Sequence, residues 1–423
     1  MRWSVFFQSL TIILSPLYIL RGEIYLPFTL LESLILITIL VTFYEYFKFK
    51  GPSKNLKTEY GLLILLFIVS ALISLKFSPN FIGGIGVFKA YFLEPILFFY
   101  CLVLTTKKTG SYKYVINSLI VAGVWLSLLS LLQKLTHSFT LAPHEIALDR
   151  VSAVYNSANS LALFLGPIAL LTLARFISPT NIKKKLFYLS LFLFFTLVIV
   201  WTRSRGGMMA EFLSITIFLY ALLAIKNRFI KKFWYLLPVV SLLGVTLFFY
   251  SIYRNYNRFI RSELHAVSLR DNFFPIDYGK PYTTGDTLQI RFFIWSGTIN
   301  MLKDHPVTGA GLNGFKTLYT NQYRLPEYQE QFQYPHNLLL TFWAETGIYG
   351  LFAFLMIVVS SFGILIRNLS KSKKPILGAS LIAVLSFWLI HGIVDVPYFK
   401  NDLSLEFWTI IALVEVWRGN LRS

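Results

Sequence analysis

The chain is 423 residues long, 56% hydrophobic and only 14% charged, with a formal net charge of +19. Its apolar residues recur in runs of about 18 to 25, the length that crosses a bilayer, which excludes a water-soluble globule and makes this a polytopic membrane protein. The surplus of Lys and Arg does not point to nucleic acid, because it sits in short clusters between the apolar runs.

In chain order, spans are expected near residues 4–20, 26–47, 60–76, 84–105, 114–133, 156–177, 185–201, 206–225, 233–252, 338–366, 375–394 and 402–417, about twelve crossings. The expected fold is an all-α integral membrane protein, a single polytopic domain over residues 1–423, with one large external loop at 253–335 between the ninth and tenth spans. The clusters Lys48/Lys50/Lys54/Lys57, Lys107/Lys108/Lys113, Arg175/Lys183/Lys184/Lys185, Lys226/Arg228/Lys231/Lys232 and Arg367/Lys371/Lys373/Lys374 fall in every second loop, on the side of both termini. The positive-inside rule makes that side cytoplasmic. Met1-Arg2-Trp3 opens the first apolar run, and Ser15-Pro16 and Arg21-Gly22-Glu23 offer no small-residue cleavage site, so this run reads as an uncleaved first helix. Cys101 is the one cysteine and lies within a span, which leaves no disulfide framework.

The fourth span carries Lys89 and Glu94. Lys89 lies near the outer end and can snorkel, so Glu94, just before Pro95, is the intramembrane charge with a claim to function. Asn156 and Asn159, at the start of the sixth span, either cap that helix or touch substrate. Next comes Trp201-Thr202-Arg203-Ser204-Arg205-Gly206-Gly207, an outer turn too short to leave the membrane surface. Arg203 and Arg205 there either snorkel to lipid phosphates or, with a helix N-terminus at the glycines, bind an anion. A pyrophosphate suits them, because a guanidinium fork binds two phosphate oxygens at once.

The loop at 253–335 is too long for a plain connector and should be partly folded. Thr287 to Lys303 reads as a helix with Leu288, Ile294, Trp295, Ile299 and Leu302 on an apolar face, ended by Asp304-His305-Pro306. Gly309-Ala310-Gly311-Leu312-Asn313-Gly314-Phe315 follows as a glycine turn that serves either backbone geometry or anion binding, then a short helix to Tyr323. Pro335-His336-Asn337 stands at the mouth of the tenth span, whose helix carries Glu345, Gly347 and Gly350. All six histidines, His137, His144, His265, His305, His336 and His391, fall on the outer side or at outer span ends. On a continuous helix Glu345 lies about ~13 Å deeper than His336 and on the opposite face, so the two do not pair unless the helix breaks near Thr346-Gly347. His391 and Asp395 are four apart and are expected to share a helix face and hydrogen-bond, as a structural or a catalytic pair.

The segments Thr202-Arg203-Ser204-Arg205-Gly206, His305-Pro306-Val307-Thr308-Gly309-Ala310-Gly311 through Phe315, and His336-Asn337 followed by Glu345, Gly347 and Gly350 resemble, in order and separation, the O-antigen ligase and polymerase family. The resemblance is densest over residues 150–400. It implies a GT-C-like membrane glycosyltransferase of surface polysaccharide biosynthesis. Such an enzyme takes a glycan from undecaprenyl diphosphate and joins it to a lipid, glycan or protein acceptor on the outer face of the cytoplasmic membrane. Inversion at the anomeric carbon and no need for metal or other cofactor go with that implication. It also assigns His336 as general base and Arg205 and Arg291 as diphosphate ligands, with Arg203 carried only as a neighbour; Asn337, Glu345, His391, Asp395, Asn159, Gly309 and Gly311 are secondary candidates. Imidazoles ordinarily titrate near ~6.5, and a positioned base contributes about ~10²–10⁴-fold. Other readings are a polysaccharide polymerase of the same family, an anion or bicarbonate transporter, and a non-catalytic scaffold, for which the Arg205 region, Arg291 and His336 would lie far apart.

Overall fold

The computed structural model describes residues 1–24, 26–48, 57–226, 287–324 and 331–419. The first helix, α1 (Arg2–Leu14), is shorter than expected and passes into a 3-10 turn over Ser15–Ile19. Pro16 sits at the head of that turn, and its missing N–H and fixed φ explain why the α-helix does not run on. Strands β1 (Arg21–Ile24) and β2 (Leu26–Thr29) then form an antiparallel hairpin with Arg21 opposite Thr29, a small β element where an all-α chain was expected. A reciprocal capping box opens α2 (Leu30–Lys48). The Thr29 N–H donates to Glu32 Oε2 at 3.2 Å and the Glu32 N–H to Thr29 Oγ1 at 3.2 Å.

The helices that follow are α3 (Gly61–Lys76), α4 (Phe81–Phe88), α5 (Glu94–Thr109), α6 (Lys113–Thr136), the short α7 (Pro143–Ala147), α8 (Ala158–Ile177), α9 (Ile182–Trp201) and α10 (Arg205–Lys226). After them come α11 (Thr287–Asp304), the short α12 (Phe315–Leu318), α13 (Leu338–Asn368), α14 (Pro375–His391) and α15 (Asn401–Arg418). A π-turn over Lys89–Leu93 joins α4 to α5 in one apolar run. Among the described residues, seven helices are long and apolar enough to cross a membrane: α2, the α4–α5 run, α6, α8, α9, α10 and α13 with its short extension. The protein is therefore a multi-pass helical membrane protein. The helices α3 and α14 are equally apolar but have only 16 and 17 residues. The expected span 402–417 corresponds to α15, whose Asp402, Glu406 and Glu415 make it more polar. The expected ninth span, 233–252, lies outside the described residues, as does 253–286 of the large loop with Arg254, Arg258, Arg261, His265 and Arg270.

The bundle centres on α8 and α15, which are buried along nearly their whole length; α8 is apolar all round, as a buried helix should be, whereas α15 buries its carboxylates with it. By contrast, only 17% of α9 is buried, which leaves its apolar side chains facing the bilayer. Polar side chains fasten helices where apolar surface gives no advantage over lipid. Gln8 is one such fastener: its amide donates to Thr105 Oγ1 at 2.8 Å, Cys101 O at 3.1 Å and Thr42 Oγ1 at 3.2 Å, and accepts from Tyr114 OH at 2.6 Å. It thereby joins α1, α2, α5 and α6. At the end of the bundle that carries His336, α10 packs along α14, and the α14–α15 connection, residues 392–400, lies between the starts of α10 and α13.

Candidate active site

Asn337 starts α13. Its side-chain oxygen accepts from the Leu340 N–H at 3.0 Å, which satisfies a helix-end donor, and its amide donates to Ile393 O at 2.9 Å. His336, just outside the helix, has φ +50°, a left-handed conformation uncommon for a side chain of that size. This sharp entry follows Pro335, whose carbonyl takes the Trp295 indole N–H from α11 at 2.8 Å. The His336 ring is half-buried, edge-on to Phe332 at 5.8 Å between centroids.

Four consecutive residues after α14 hold the site together. Gly392 O accepts from the first N–H of α13, Leu338, at 2.7 Å. Ile393 O takes the Asn337 amide, and Val394 O takes Arg291 Nε at 2.7 Å. Asp395 then places Oδ1 3.4 Å from His336 Nδ1. The expectation that His391 and Asp395 share a helix face is corrected here: α14 ends at His391, and Asp395 belongs to the connection. Gly392 and Pro397 were the sequence signals of that stop. A side chain on Gly392 would press on Trp388 O at 2.6 Å and Leu338 Cβ at 2.9 Å, so only glycine lets α13 begin against the end of α14.

Burial pushes the Asp395 carboxyl up, but His336, His391 and Arg291 together pull it further down, and it is held well below the usual carboxylate range. Burial lowers the Arg291 guanidinium from its ordinary value; Asp395 opposes this and Arg150 adds to it. Asp395 is thus an anion enclosed by potential cations.

The Arg205 turn meets the same loop from α10. A Cβ at Gly206 would stand 2.7 Å from Val394 Cγ2 and 3.1 Å from His391 Cδ2, so the first turn of α10 rests directly on the end of α14. Arg205 itself is exposed at the N-terminus of α10 and has no hydrogen bond or ion pair among the described residues. Arg203 is placed differently. Its guanidinium is engaged by Asp149 Oδ2 at 2.5 Å and Leu148 O at 3.1 Å, which makes it a tie to the 148–149 loop. Asn159 is likewise occupied, accepting from Arg150 Nη2 at 2.8 Å.

Sequence reasoning passed over Arg150. It donates to Thr202 O at 2.7 Å and pairs with Glu145 Oε2 at 2.8 Å, and so buttresses the Arg205 turn from behind. Its signal was weak, a single Arg beside Asp149 in an unremarkable loop.

The remaining candidates form the scaffold on the far side of α13. The helix breaks at Gly347, φ +69°, where a side chain would collide with Val307 O. The break frees backbone groups that residues 307–310 engage: Ala310 N–H donates to Ala344 O at 2.7 Å and Ile348 N–H to Val307 O at 3.1 Å. Glu345, buried there, accepts from the N–H groups of Asn313 and Phe315 and caps α12. Gly309 and Gly311 adopt φ +62° and +81°, and their faces lie against backbone of α13 and of Phe77. Their positive φ and close backbone neighbours call for glycine at both positions. In α11, Ile294 and Leu302 are buried as expected, whereas Ile299 is exposed and Met301 takes its place inside.

The fold and this polar cluster define a multi-pass helical membrane protein with a histidine–aspartate pair and arginines gathered at one end of its bundle. Residues 189–355 match the family model described as O-antigen ligase. No curated protein matches the chain. The match supports an O-antigen ligase- or polymerase-like function of glycosyltransferase type and lends nothing to a transporter. It takes in Arg203, Arg205, Arg291, Gly309, Gly311, His336, Asn337 and Glu345, while Asn159, His391 and Asp395 fall beyond it.

Proposed function

We propose that the protein transfers a glycan from a polyprenyl diphosphate to an acceptor hydroxyl at the outer face of the cytoplasmic membrane, in the manner of a ligase. One observation carries this reading: Asp395 lies at His336 Nδ1 while Arg291 is fixed to the neighbouring Val394 carbonyl, so a base and an anion-binding group share one short strap. With Nδ1 directed to Asp395, Nε2 of His336 is the nitrogen that removes the acceptor proton. The acceptor oxygen attacks the anomeric carbon, the carbon–oxygen bond to the diphosphate breaks with its electron pair leaving on the diphosphate, and the configuration inverts. Arg205 and Arg291 neutralise the charge that grows on the leaving group, and electrostatic stabilisation of this kind is commonly the largest catalytic term. The basic clusters of alternate loops support the outer placement.

Purified protein in nanodiscs, given a polyprenyl-diphosphate glycan and acceptor lipid, tests this. Arg205→Ala and His336→Ala are each expected to lower transfer by about 10² or more. Wild-type transfer by both variants would overturn the mechanism. A polymerase uses the same chemistry with a second lipid-linked glycan as acceptor, and offering both acceptors separates the two.

A further inference from the structure

The α4–α5 run is interrupted by a π-turn over Lys89–Leu93, followed by Glu94 and then Pro95. In a regular helix the Tyr91 carbonyl would accept from the residue four positions on, which is Pro95 and has no N–H to give. The Glu94 N–H, which would ordinarily serve Ala90, is drawn to Lys89 O instead. Pro95 thus strips the Tyr91 carbonyl of its i+4 donor by sequence alone, and the π-turn draws away that of Ala90, in a helix where water cannot substitute.

Both carbonyls are reached from the α14–α15 region. Tyr398 OH donates to Tyr91 O at 2.6 Å, and Ser404 Oγ lies 3.5 Å from Ala90 O. The Tyr398 hydroxyl also accepts from Trp408 Nε1 at 3.1 Å, so it is satisfied as donor and acceptor while only 1% exposed. Around it the Tyr91 ring meets Phe399 edge-on at 6.0 Å and Phe92 meets Tyr398 at 6.1 Å. Tyr398 stands three residues beyond Asp395, with Pro397 stiffening the link. We propose that the Pro95 break is a socket for the Asp395 strap and that Tyr398 is a positioning residue, setting the depth at which Asp395 meets His336. Membrane helices keep a proline where a neighbour supplies the missing bond, and here that neighbour carries the candidate catalytic loop. The inference rests on the glycosyl-transfer reading of the site.

The test is a double-mutant cycle on Tyr398→Phe and Pro95→Ala. Tyr398→Phe removes one hydroxyl, and Pro95→Ala returns the helix N–H that competes for the Tyr91 carbonyl. If one shared bond is at stake, each single variant lowers kcat by about tenfold with donor KM nearly unchanged, and the double variant is no worse than either single. Additive losses, or a lower Tm with kcat per folded molecule intact, would overturn the proposal. A second readout needs no transfer: the His336 imidazole titration, followed by NMR, should move in Tyr398→Phe in the same direction as in Asp395→Asn. An unmoved titration would refute the positioning role even if the glycosyl-transfer reading stands, and a moved one would uphold it even if that reading falls.

Discussion

His336 and Asp395, fifty-nine residues apart in sequence, meet through Nδ1 and Oδ1 at 3.4 Å. That is long for a charge-assisted bond, as pairs of this kind often are before substrate closes on them. It fixes which imidazole nitrogen faces the carboxylate and so which one is left for a proton.

Asp395→Asn should therefore cost more than a surface aspartate. The amide presents a neutral group where an anion selects the imidazole tautomer, and transfer is expected to fall by about 10²–10⁴ in kcat with little change in donor KM. Steady-state kinetics at saturating acceptor would show this, and a fall confined to KM would count against the orienting role.

The same carboxylate predicts how stability follows pH. Its folded value lies below the unfolded one, so its contribution is complete above the ordinary carboxylate range near ~3.9 and is lost as pH falls below it. The Tm gap between wild type and Asp395→Asn should thus narrow as pH falls below about 4. A gap that stays open at the lowest pH would contradict a depressed carboxyl.

Arg203 and Arg205, two residues apart, should separate cleanly. Arg203→Ala gives up an exposed, solvent-screened ion pair with Asp149 and should leave transfer within about twofold. Arg205→Ala removes the guanidinium that has no partner among the described residues and should weaken donor use by about 10². Equal losses from both would mean that the turn acts as one unit.

Glu345 should be a stability residue. Glu345→Ala strands the Asn313 and Phe315 N–H groups in a buried site, at about 2–4 kcal/mol for the pair, whereas Glu345→Gln keeps one acceptor oxygen and should cost less. Thermal unfolding ranks the variants, and transfer per folded molecule should survive in both. Loss of turnover in a fully folded Glu345→Gln would return this carboxylate to the chemistry.

Gly206→Ala examines the seam between the two halves of the site. The added methyl meets Val394 and His391, and overpacking of this kind costs about 1–3 kcal/mol. Because the displaced residues border Asp395, the expected signature is a fall in both Tm and kcat, read by calorimetry and by transfer assay.

Most membrane helices were legible because bilayer thickness imposes a run length that composition reveals directly. The hairpin at 21–29 was not legible, because β1 fell in the short connection between two expected spans and β2 at the apolar head of the second, where apolar content does not tell strand from helix. In the site, His336 and Arg205 stood out by residue type at helix mouths. Asp395 was noticed but given His391 as partner, because helical spacing is a local rule and the contact with His336 is set by how α13 docks on the end of α14. Tyr398 offered no sign, since its partner is a backbone carbonyl made available by a proline some three hundred residues earlier.

Loops ordinarily absorb insertions at small cost, and the end of a helix is a favoured place for them. Residues 392–395 have no such slack, because each in turn is bonded to α13, to α11 or to the imidazole. One extra residue here would put all later bonds out of phase by a full peptide, about 3.8 Å between successive Cα atoms, and carry the carboxylate away from the ring. The length of this short connection is thus as much a determinant of activity as the identity of any side chain on it.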